Sequence, residues 1–170
     1  GIPGSGKTTY AEKYINEHSG TVHLSSDKIR EELWGNEATQ GDNSKVFSLM
    51  QSRAIEALNN GQSVVYDATN ITRKDRSYII TLCPKFAKIE CYIIWAPIET
   101  CIERDAARER TVGKEVIDRM LKRFQPVWYD EGINEIKLIR PDNFDISKYG
   151  HQIVDAMKIP HDNPHHSLPI

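Results

Sequence analysis

Residues Gly1-Ile2-Pro3-Gly4-Ser5-Gly6-Lys7-Thr8-Thr9 match the pattern G-x-x-x-x-G-K-[ST] from Gly1 through Thr8 and run straight into a helical stretch, Tyr10 to Ile15. Glycines at these positions let backbone N–H groups turn inward and approach an anion closely, with no Cβ in the way. A lysine placed as Lys7 is reaches β- and γ-phosphates, and the Thr8 hydroxyl is placed to coordinate Mg²⁺. The positive end of the helix that starts here favours the same anion. Gly1, Pro3, Gly4, Ser5, Gly6, Lys7, Thr8 and Thr9 are therefore the expected ATP-binding residues, with Lys7 also catalytic. The bland alternative is a glycine-rich turn carrying an exposed lysine, which does not require four fixed positions before a helix. Such a loop needs a buried apolar strand ahead of it, and the sequence starts at the first glycine. The expectation is a fragment without its leading strand, less stable than its parent because that strand is normally central.

A length of 170 residues suits one domain with a sizeable core. With 39% hydrophobic and 27% charged residues and a mean hydropathy of −0.54, the chain reads as soluble and globular, without an apolar run of membrane-spanning length. Cys83, Cys91 and Cys101 are odd in number and lack C-x-x-C spacing, which suits reduced cysteines of a cytosolic protein better than a disulfide framework. A net charge of −2 exerts no global pull on nucleic acid, so a polyanion site must be a local groove.

Strand and helix signals alternate along the chain. Helices are expected over Thr9–His18, from Ser26 (as N-cap) to Trp34, from Ser44 to Leu58, over Arg73–Leu82, Pro97–Ala107 and Lys114–Phe124, with a tail helix from Ile146 to Met157. Strands are expected at Thr21–Ser25, Ser63–Asp67, Lys88–Trp95 and Glu135–Ile139. That alternation predicts an α/β fold: a P-loop NTPase-like three-layer sandwich, with a mostly parallel sheet and helices on both faces. Residues 1–158 are assigned to this domain and 159–170 to a tail, read as the start of a truncated second domain.

In open α/β sheets ligands bind beyond the carboxyl ends of the strands, and two aspartates fall there. Asp67 closes Val64-Val65-Tyr66 and is a candidate for Mg²⁺ or substrate contact, against a reading as a cap or turn acid. Asp27 follows the Leu24 strand and shares a helix face with Arg30. The pair is either a simple ion pair or a base for a hydroxyl beside a guanidinium that steadies a phosphate. Farther on, Arg104, Arg108 and Arg110 sit where a helix gives way to Thr111-Val112-Gly113. Four-residue spacing puts Arg104 and Arg108 on one face. Interleaved Glu103, Asp105 and Glu109 suit a solvated, salt-bridged helix, whereas a lid supplying charge to a transferred phosphoryl group needs the arginines themselves.

These stretches together (Gly-Ile-Pro-Gly-Ser-Gly-Lys-Thr-Thr, Ser26-Asp27-Lys28-Ile29-Arg30, Tyr66-Asp67-Ala68-Thr69-Asn70 and Arg104-Asp105-Ala106-Ala107-Arg108) resemble the phage-type polynucleotide 5′-hydroxyl kinase group of P-loop kinases. Zeta-toxin-like sugar-nucleotide kinases and seryl-tRNA kinases form its wider circle, and the likeness runs from Gly1 to about Phe124. The resemblance implies ATP and Mg²⁺ as cofactors, Asp27 as general base on a 5′-hydroxyl, Arg30 on the substrate phosphate and Arg108 on the donor phosphates. It also places Asp67 and Thr69 on the acceptor side, with Arg104 the second lid arginine. Members often carry proline between lid and following helix, where this chain has Gly113-Lys114.

The expected activity is γ-phosphoryl transfer from ATP to a hydroxyl, with a polynucleotide 5′-end as acceptor. Its rivals are a kinase of small molecules or sugar nucleotides and an ATP-hydrolysing switch, which has no need of a base for an alcohol. The tail His161-Asp162-Asn163-Pro164-His165-His166 offers metal-ligand chemistry and weakly resembles the opening of a His-Asp phosphohydrolase domain, although too few ligands surround it.

Overall fold

The computed structural model describes residues 1–35, 41–108, 110–141, 147–148 and 152. The expected tail helix and the histidine-rich tail lie outside the described residues, apart from Ser147, Lys148 and Gln152, which are helical.

The chain opens on the glycine loop and enters helix α1 at Lys7–Glu17, then strand β1 at Val22–Ser25, α2 at Ser26–Trp34 and α3 at Asn43–Asn59. Strand β2 at Val64–Asp67, α4 at Arg73–Ile80, β3 at Glu90–Ile94, α5 at Ile98–Ala106 and α6 at Lys114–Arg123 follow. A 3₁₀ turn at Tyr129–Glu131, which carries no strong sequence signal, precedes β4 at Glu135–Ile139. The helix starts have local causes. Ser25, still extended, rather than Ser26 caps α2 by accepting from the Lys28 N–H at 3.5 Å. A reciprocal pair joins Thr72 and Asp75 at the start of α4, the Thr72 hydroxyl accepting from the Asp75 N–H at 3.1 Å and the Asp75 carboxylate from the Thr72 N–H at 3.2 Å.

β1 pairs parallel with β2, placing Ser25 opposite Asp67, and β3 pairs parallel with β4. The expected single sheet is thus realised as two parallel pairs. β2 and β3 share no ladder, and both line a cavity of about 690 Å³. Both strands run toward the glycine loop. The Gly1 nitrogen donates to the Thr69 carbonyl at 2.9 Å, closing the head of the cavity.

Helices do cover both faces of the β1–β2 pair. Period-2 alternation puts Val22, Leu24, Val64 and Tyr66 on one face, where they pack with Met50 and Ala54 of α3 and Ile29 of α2. His23 and Asp67 lie on the other face, and α1 brings Thr8 against Asp67 there. A second core of Ile2, Ile71, Ala96, Cys101 and Ile117 lies beneath the glycine loop and joins it to α5 and α6. Burying each of the three isoleucines contributes roughly 1.5–3 kcal/mol. The glycine loop therefore rests on a packed floor.

Candidate nucleotide site

Gly4 and Gly6 adopt φ of 78° and 98°, the left-handed region that glycine occupies at least cost. A Cβ on Gly4 would collide with the Cys101 carbonyl of α5, so close approach as well as conformation excludes a side chain there. Ile2, Pro3, Gly4 and Ser5 are buried, whereas Thr9 is exposed. Ser5 Oγ is buried and, among the described residues, has no hydrogen-bond partner.

Lys7 lies partly buried and donates from Nζ to the Ile2 carbonyl at 2.9 Å. Burial lowers its pKa from the ordinary lysine value and the charge of Arg108 adds to that, against the opposing pull of Asp67 and Asp27. Beside it the Thr8 hydroxyl donates to Asp67 Oδ2 at 3.1 Å. Burial alone would raise the Asp67 pKa, but the His23 hydrogen bond, the Lys7 charge and the Thr8 hydrogen bond outweigh it and hold the carboxyl below its usual value. A hydroxyl and an ionised carboxylate in contact form the hard oxygen set that Mg²⁺ takes together with phosphate and water. Thr8 and Asp67 fit that ion. Among the described residues no group of three or more His, Cys, Asp or Glu could hold a metal by itself.

Asp27, in the first turn of α2, is half exposed and paired with Arg30 at 2.8 Å. The other arm of Arg30 donates to Asn43 Oδ1 at 3.1 Å, tying α2 to the start of α3. Arg110 also approaches Asp27, at 3.7 Å. Sequence reasoning noticed Arg110 but passed it over for Arg104 and Arg108. Thr69 contributes its carbonyl to the Gly1 nitrogen, which puts it at the start of the glycine loop.

The arginine segment needs one correction. α5 ends at Ala106, so Arg108 lies beyond the helix and the shared-face argument does not reach it. The cause is Asp105. Far from sitting on a solvated face, it is 2% exposed, and its carboxylate accepts the Val112 N–H at 3.1 Å and the Gly113 N–H at 2.9 Å. The chain folds back over Asp105, which presents Arg108 and Arg110 from a short pinned loop. Arg104, still on the helix, reaches the Gly4 carbonyl at 3.4 Å. Glu109 lies outside the described residues.

A family model described as "AAA domain" matches residues 1–127, three quarters of the sequence and all of the segments above. The chain belongs to the AAA domain family. Among solved structures this AAA domain is similar to a chain of the Pnkp1/Rnl/Hen1 RNA repair complex, at a TM-score of 0.62 and 22% identity, over 72% of this chain and 41% of that one. A chain of a second Pnkp1/Rnl/Hen1 complex matches at 0.56 and 23%, over 67% of this chain and 40% of that one. At such identities these likenesses establish the fold, and the expected P-loop α/β architecture stands. A curated relative, "Transcription factor bHLH140" of Arabidopsis thaliana, is 24% identical over 149 residues, covering 84% of this chain and 15% of that protein. The chain therefore spans less than half the length of each of these relatives. No helix among the described residues is long and apolar enough to cross a membrane.

Sequence reasoning missed His23 and Asp105. A lone histidine inside a β-branched run, and an acid within an alternating charge pattern, carry no local sign of what they will face.

Proposed function

We propose that this AAA domain is an ATP-dependent kinase that transfers the γ-phosphoryl group to a hydroxyl, with a polynucleotide 5′-end as the acceptor. The observation that carries the reading is the contact at the mouth of the glycine loop, where the Thr8 hydroxyl, next in the chain to Lys7, donates to Asp67 Oδ2 at 3.1 Å. ATP with Mg²⁺ would supply the phosphoryl group and charge neutralisation. Gly4, Ser5 and Gly6 would present backbone N–H groups to the donor phosphates, and Lys7 would exchange the Ile2 carbonyl for phosphate oxygen. Thr8 and Asp67 would hold the metal. Arg108 and Arg104 would offset charge on the donor side, the electrostatic contribution on which phosphoryl transfer chiefly depends.

Asp27 would take the proton from the attacking hydroxyl. Its exposure gives an acceptor access, and its pairing with Arg30 keeps a guanidinium beside the base to hold an acceptor phosphate. A nucleotide switch needs neither group. The fold shared with a chain of an RNA repair complex supports a polynucleotide acceptor over a small alcohol.

The test offers γ-labelled ATP with 5′-hydroxyl DNA and RNA, nucleosides, sugars and sugar nucleotides. Label should pass to an oligonucleotide end, and Asp27→Asn should reduce transfer by at least about 100-fold while ATP binding changes little. Label on a small molecule alone would replace the acceptor class. Hydrolysis indifferent to every acceptor would replace the kinase by a switch.

A further inference from the structure

His23 has no part in the reading above, yet its side chain is 7% exposed and faces the centre of the site. Its Nε2 lies 3.3 Å from Asp67 Oδ2, the oxygen that also accepts the Thr8 hydroxyl at 3.1 Å. The other ring nitrogen, Nδ1, is buried and has no hydrogen-bond partner among the described residues. An ionised carboxylate can only accept, so a hydrogen sits on Nε2. That assignment follows from the partners rather than from any visible hydrogen. Asp67 Oδ2 thus takes two donors from separate elements, Thr8 on α1 and His23 on β1, while Oδ1 takes neither.

We propose that His23 is a positioning residue for Asp67. By taking the remaining lone pair of Oδ2 it fixes the rotation of the carboxylate and leaves Oδ1 as the oxygen that meets the metal or a water on it. It also leaves the Thr8 hydroxyl one direction for its hydrogen, so that the Thr8 lone pairs face outward. This rests on the kinase reading only in taking Thr8 and Asp67 as the Mg²⁺-facing pair. Groups that orient a metal-binding carboxylate typically change metal affinity about 10–100-fold when removed.

Binding of a fluorescent ATP analogue is titrated with Mg²⁺, and separately measured in EDTA. His23→Phe keeps an aromatic ring but loses the donor, and should raise the Mg²⁺ half-saturation about 10-fold with metal-free affinity within about 2-fold. His23→Gln, whose amide nitrogen can reach the Nε2 position, should recover most of the difference. A folded His23→Phe protein with wild-type Mg²⁺ dependence would overturn the proposal and leave the kinase reading standing. Wild-type protein that binds nucleotide with no response to Mg²⁺ would remove both. Imidazole ¹⁵N shifts in the unmodified protein give a check that does not depend on the variant folding. The Nε2–H tautomer supports the proposal, and a ring protonated on Nδ1 alone overturns it.

Discussion

Replacing Asp105 by alanine tests whether the arginine segment is a pinned loop or a free flap. The carboxylate is almost fully buried and takes N–H donors from both Val112 and Gly113, in effect capping the return of the chain from α5 to α6. Hydrogen bonds to a charged group each contribute about 1.5–3 kcal/mol. Both backbone donors lie on partly buried residues, so water can reclaim some of the loss. The expected cost is therefore nearer the lower end, about 2–4 kcal/mol for the pair. In a chain of this size that lowers the midpoint of thermal unfolding by roughly 4–16 °C, at about 2–4 °C per kcal/mol. Asp105→Asn keeps one acceptor but turns an amide toward a backbone N–H, and should cost roughly half as much. Urea unfolding followed by circular dichroism gives the stabilities, and ATP turnover per folded molecule gives the functional effect. With the pin gone Arg108 and Arg110 lose their fixed origin, so turnover should fall further than the folded fraction does. A loss below about 0.5 kcal/mol would refute the energetic reasoning. A destabilised variant with full turnover would show that the loop need not be pinned for the arginines to work.

Further perturbations follow from the packing. Gly4→Ala places a Cβ against the α5 backbone at a positive φ and should cost about 3 kcal/mol or more, with loss of nucleotide binding. Gly61→Ala, also at positive φ but facing open space, should cost only about 1–2 kcal/mol, and equal melting temperatures for the two would refute the steric account. Arg76 and Glu131 form a pair whose side chains are 4% and 3% exposed, bonded at 2.7 Å. Arg76→Met leaves an uncompensated buried carboxylate and should cost about 3–5 kcal/mol, while Arg76→Met with Glu131→Met should cost less than the sum of the single changes in a denaturation cycle.

Much of this architecture is legible in the chain because its causes are local. Val64-Val65-Tyr66-Asp67 announces a strand ending in an acid, the 1–9 stretch announces a glycine turn running into a helix, and Thr72 and Asp75 carry a capping signature within four residues. What stays hidden depends on partners far along the chain. His23 meets Asp67 across 44 positions, and Arg110 meets Asp27 across 83. Nothing adjacent to either histidine or arginine reports that encounter. Asp105 misleads for the opposite reason, since its neighbours Glu103 and Arg104 look like a solvated face while the return of the chain at Val112 buries it. Which strand bonds to which is equally invisible. Period-2 patterning reports which face of a strand is covered and not which edge is bonded.

Arg76 has a consequence for how this chain tolerates change in length. Besides Glu131, its guanidinium donates to the Asn70, Gln125 and Pro126 carbonyls, at 3.1, 3.1 and 3.0 Å. Surface connections are ordinarily where extra residues do least harm. Between Gln125 and Glu131, however, every residue is counted against a single rigid fork, and one insertion would pull an acceptor off it. The turn after α3, where Gly61 looks onto empty space, has no such tether and is where an added tag or loop would be absorbed.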